Sequence, residues 1–120
     1  MDFKQYDFIY NASAHFAGAE KYPDGLVPEL IKPDKAGFEA ACWALAEMAT
    51  QGELIRRDMG HDRRDAPTAE HFRRHLMPHE YPAVRQLIFE RINRGLHGDV
   101  DDGAEVDEVL EELGKKTDGD

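Results

Sequence analysis

Three histidines at four-residue intervals, His71, His75 and His79, have the spacing in this chain that comes nearest to a chemical site. Imidazoles four residues apart on a helix lie one above the other on the same face, where both can ligate one metal ion. A metal-dependent enzyme acting through His71, His75 and His79 is therefore one reading. The pattern departs from a metalloprotease signature. No glutamate stands in H-E-x-x-H register, Pro78 interrupts the helix before His79, and Arg73 and Arg74 place positive charge beside the pair. The one cysteine, Cys42, cannot form an internal disulfide or a multi-cysteine zinc site, and it falls between Ala41 and Leu45 on an apolar stripe, as a small core residue does. Ser13 is the only serine and lies in no nucleophile elbow; neither glycine-rich phosphate motif occurs. Paired acids, Asp101-Asp102 and Glu111-Glu112, belong to a segment whose charge keeps it solvated. The expectation is a protein that is not an enzyme and takes no cofactor and no metal.

The chain that must position these residues has 120 residues, 41% hydrophobic and 33% charged, which suits one folded domain. No apolar run approaches the roughly 20 residues that span a bilayer, and the N-terminus lacks a basic region followed by an apolar stretch, so a cytoplasmic location and no membrane partner are expected. The net charge is −10 and unevenly placed. Residues 98–120 hold ten acids against Lys115 and Lys116, a net −8, leaving 15 acids and 13 bases, a net −2, for residues 1–97. The organisation predicted is a body, 1–97, and an acidic amphipathic tail, 98–120, with Gly95, Gly98 and Gly103 at the joint. Every base from 56 to 94 is arginine, nine in all, interleaved with six acids. Two readings fit: a solvated, ion-paired helical surface, or an arginine face that meets an acidic partner or the chain's own tail. A nucleic-acid-associated regulator using the 56–94 region is a competing reading that the overall negative charge and the absence of a helix-turn-helix glycine turn disfavour.

Apolar spacing predicts an all-α fold of four to five helices. Ile9, Ala12, Phe16 and Ala19 fall on one stripe of a helix from Asp7 to Tyr22, ended by Pro23-Asp24-Gly25. Leu26, Val27, Leu30 and Ile31 form a helical turn or two before Pro33. Asp34 is an N-cap for the longest helix, 34–59, with Phe38, Ala41, Cys42, Leu45, Met48, Ala49, Gly52 and Ile55 in helical period. Its small residues Ala41, Ala49 and Gly52 admit the close approach of another helix, and Gly60 terminates it. Thr68 caps a short helix carrying Phe72 and Leu76, which Pro78 stops. Val84, Leu87, Ile88 and Ile92 make the last body helix, 79–94, ended by Gly95, and Val106, Val109, Leu110 and Leu113 give the tail a helical stripe of its own.

The run from Gly37 to Asp62 resembles the central helix of phage tail assembly chaperones, small helical proteins encoded in the tail-assembly regions of siphophages and Gram-positive prophages. Leu76-Met77-Pro78, the helix to Ile92-Asn93-Arg94-Gly95-Leu96 and the acidic Glu105 to Leu110 continue the resemblance, which extends over residues 37–113. It implies a protein that binds the tape-measure protein, keeps it soluble and guides assembly of the tail tube from the major tail protein in the bacterial cytoplasm, with no nucleic-acid partner and a tendency to self-associate. Under that implication Val106, Val109, Leu110 and Leu113 contact the partner, unless they dock on the chain's own body. Trp43, off the main apolar stripe and read as exposed, is a second partner contact or else packs on the N-terminal helix. The same resemblance implies recoding near Gly114-Lys115-Lys116, although two lysines also suit the C-terminal dipole of an acidic helix that Gly114 ends.

Overall fold

The computed structural model describes residues 1–98. Five α-helices and no strand occur among them: α1 (Ala12–Lys21), α2 (Leu26–Leu30), α3 (Lys35–Asp58), α4 (Ala69–His75) and α5 (Tyr81–His97), with short 3-10 turns at Phe3–Gln5 and Pro78–Glu80. The all-α expectation holds. Helix α3 is the axis of the domain, and the other four pack on it. It begins where Asp34 Oδ1 accepts the Ala36 amide at 3.0 Å, and Gly60, at φ +91°, follows its end in the left-handed conformation that glycine adopts without strain. Arg56 and Arg57 in its last turn complement the negative end of the helix dipole.

The core is one cluster in which Leu30, Cys42, Leu45, Met48, Phe72, Val84 and Ile88 are fully buried. In α5 the buried residues Val84, Ile88 and Ile92 recur every four, a stripe aimed at α3. Helix α4 has seven residues, too few to persist alone; it is held by Phe72 in the core and by Thr68 Oγ1, which accepts the His71 amide at 3.1 Å. In α2 only Leu26 and Leu30 are buried, while Val27 and Ile31 face out.

Three sequence readings are corrected. The first helix starts at Ala12, not Asp7. Residues 6–11 run extended along α3, Ile9 N–H donates to the Met48 carbonyl at 3.1 Å, and Phe8 and Tyr10 enter the core in the period-two alternation of an extended chain. Asn11 marks the change: its Oδ1 accepts the Ala14 amide at 3.0 Å, and its side-chain amide donates to Gln51 Oε1 at 3.1 Å. With the start moved, Ala14 and Gly18 become the buried face of α1, and Phe16, expected on it, is 68% exposed. The small residue Gly52 admits this extended segment rather than another helix, since a Cβ there would overlap the Asp7 carbonyl oxygen. Gly95 does not end α5 either. It lies inside the helix, where its missing side chain lets the last turn rest on the Tyr10 carbonyl, and the terminator is Gly98, at φ +91°. The tail stripe Val106, Val109, Leu110 and Leu113, and Gly114-Lys115-Lys116, lie outside the described residues.

Candidate functional site

The three histidines separate into a pair and a single residue. His71 and His75 stack across one turn of α4 with ring centroids 4.5 Å apart, whereas His79 sits in the 3-10 turn beyond Pro78. Among the described residues no group of three or more His, Cys, Asp or Glu side chains is placed to hold a metal ion. Cys42 is wholly buried, and burial, with the charge of Glu39 adding to it, pushes its thiol up to about 12, so it stays protonated near neutrality.

The arginines are largely committed to carboxylates of their own chain. Arg73 bridges Glu70 at 2.8 Å and Glu39 at 3.1 Å, Arg74 joins Glu70 at 3.0 Å, and Arg91 and Arg94 both pair with Glu90. The tightest set surrounds Glu53, a carboxylate 7% exposed near the end of α3. It accepts the Arg64 backbone amide at 2.8 Å, Arg57 Nε at 2.8 Å and Arg56 Nη1 at 2.7 Å. Arg57 then donates to the Arg64 carbonyl at 3.0 Å. The Arg64 amide first, and the two guanidinium groups after it, hold the Glu53 carboxyl down to about 2. A carboxylate so depressed and so fully bonded does not accept protons near neutrality; its effect is to fasten the loop after α3 onto the helix end. Its sequence signal is Glu53 followed at i+3 and i+4 by Arg56 and Arg57, a pattern that local spacing alone does not tie to the loop at Arg64. Of the two arginine readings, the ion-paired surface describes six of the nine. Arg85 differs: its Nε is buried without a hydrogen-bond partner among the described residues, and its guanidinium carbon lies 5.9 Å from the ring centres of both Tyr81 and Phe89.

Trp43, read from the sequence as exposed, is half-buried. Its ring meets Tyr22 edge-on at 5.8 Å and faces Gly18, so it fastens α1 to α3 and has a structural task independent of any partner.

An open groove of about 220 Å³ lies where the start of α1 meets the last turn of α5. Tyr10, Ala12, His15 and Phe16 form one wall, and Gly95 and Leu96 the other. Tyr10 Oη and His15 Nδ1 are hydrogen-bonded at 2.8 Å, and His15 meets Phe16 edge-on at 5.3 Å, so the first wall is a chain of three rings. Phe16 and Leu96 remain 68% and 52% exposed at its mouth. Single exposed apolar residues are ordinary, but two large ones facing one concavity mark a place where an apolar side chain of another segment can be buried. Neither residue was singled out as a site in the sequence, because Phe16 fitted a core stripe and Leu96 lay beyond the expected helix end.

The fold and this surface define a small all-α domain built on one central helix, with an apolar-mouthed groove at one end. Compared with known proteins, the chain matches no family model, no curated protein and no solved structure.

Proposed function

We propose that this chain is a protein-binding tail assembly chaperone of a phage or prophage, which covers apolar helical stripes of the tape-measure protein and so keeps it soluble until tail-tube subunits polymerise around it. The observation that carries the reading is the groove between α1 and α5, where Phe16 and Leu96 stand open to solvent in a chain of net charge −10. An amphipathic helix that seats its apolar face in such a groove loses the surface on which it would aggregate, while the acidic chain keeps the complex charged and dispersed. The resemblance over residues 37–113 supplies the class of partner, and the tail residues Val106, Val109, Leu110 and Leu113 supply further apolar contacts. The nucleic-acid reading has less support, because most of the arginines it would use are paired with Glu53, Glu70, Glu39 and Glu90.

Co-expression with the tape-measure protein encoded downstream of this gene tests the proposal. The expected result is a tape-measure protein that moves to the soluble fraction and co-purifies with this chain, with at least a several-fold loss of the soluble pool for the double variant F16S/L96S. A tape-measure protein whose solubility is unchanged by this chain, or a neighbouring gene region without tail proteins, overturns it.

A further inference from the structure

The groove between α1 and α5 stands beside the point from which the acidic segment departs, and that segment carries an apolar stripe. Leu96 lines the groove, and the chain continues past Gly98 only two residues later. We propose that in the free protein this groove is occupied by the chain's own residues 106–113, with Val106, Val109, Leu110 and Leu113 set against Phe16 and Leu96. The inference goes beyond partner binding and does not rest on it, since the tape-measure experiment can fail while self-docking holds.

Three observations choose this occupant over a second copy or a foreign helix. The first is reach: the seven residues between Gly98 and Val106 span at most about 25 Å when extended, and the groove begins at Leu96, so docking is sterically open. The second is effective concentration. A segment tethered this closely meets its site at roughly millimolar concentration, so below that level an intermolecular occupant of equal intrinsic affinity is outcompeted. The third is charge. Residues 98–120 hold ten acids against two lysines, while the last turns of α5 carry Arg91 and Arg94 against the single carboxylate Glu90. Opposite net charge draws the segment to this end of the molecule, and the apolar stripe fixes where it settles.

The test uses the full chain with a nitroxide on Glu112→Cys; the native Cys42 is fully buried and is left in place. In amide spectra of the isotope-labelled protein, the signals of Tyr10 to Phe16 and of Gly95 and Leu96 should lose most of their intensity, recover when the nitroxide is reduced, and show the same loss on tenfold dilution. Adding Leu110→Asp or Phe16→Ser should restore those signals while the remaining spectrum is retained; Phe16 is exposed enough for its replacement to leave the fold intact. Unattenuated groove signals in the parent chain overturn the proposal. So does attenuation that survives both substitutions, or equal attenuation when isotope-labelled chains without nitroxide are mixed with unlabelled nitroxide-bearing chains, which would assign the groove to the tail of a second copy.

Discussion

Glu53 shows how one buried carboxylate fixes a loop. Its folded-state carboxyl lies near 2, below the ordinary value of 4.5, so the contribution of this group is fully present above about pH 4.5 and disappears as pH falls towards about 2. Thermal melts recorded down that range should show an acid-side fall in Tm that Glu53→Gln makes shallower, while the same variant lowers Tm at neutral pH because the Arg64 amide, Arg56 and Arg57 lose their charged acceptor. If the acid limb is the same in both proteins, the three hydrogen bonds do not form in solution. Gly52 makes an opposite kind of statement. In an ordinary helix interior, glycine to alanine stabilises by about 1 kcal/mol; here the added methyl would overlap the Asp7 carbonyl, so Gly52→Ala should instead destabilise by about 1–3 kcal/mol in chemical denaturation. A stabilised variant would show that residues 6–11 do not lie on α3.

At the scale of the element, α4 is the informative case. Seven residues and one side-chain cap cannot sustain a helix in water, so its existence depends on Phe72, which touches Tyr6 at 5.9 Å and Phe8 at 6.2 Å between ring centres and is fully buried. Phe72→Ala should cost about 3–5 kcal/mol, a large part of the stability of a domain this size, whereas Thr68→Ala, which removes only the cap, should cost about 1 kcal/mol. Hydrogen exchange gives a second measure: amides of α4 should lose protection well before those of α3 in the Thr68 variant. Equal protection of both helices would mean that Phe72 and the Arg73–Glu39 bridge hold α4 without help from the Thr68 cap.

For the whole molecule, every buried apolar residue of the described chain lies between Phe8 and Ile92, so the domain should keep its helical circular dichroism when residues 99–120 are removed. With the tail seated in the groove, that truncation should still lower Tm by about 4–8 °C, the equivalent of about 1 kcal/mol for a domain of this length. An unfolded truncation product would show that the body ends later than residue 97, and an unchanged Tm would match an empty groove. Much of this architecture was legible in the sequence. Asp34 and Thr68 announced two helix starts, Gly60 an end, and the four-residue recurrence of Val84, Ile88 and Ile92 a buried face, because caps and periodicity are local properties of the chain. The tertiary structure alone decided the rest. Ile9, Ala12, Phe16 and Ala19 have helical spacing, yet residues 6–11 are extended, with Phe8 packed on Phe72 of α4, Ile9 bonded to the Met48 carbonyl of α3 and Tyr10 against Gly95 of α5. The roles of Gly52 and Gly95 depend on carbonyls 45 and 85 positions away in the chain, Asp7 and Tyr10, which no local pattern can place. Sequence determined which residues could be helical and where the charge lies; the approach of distant segments determined which apolar side chains were left uncovered.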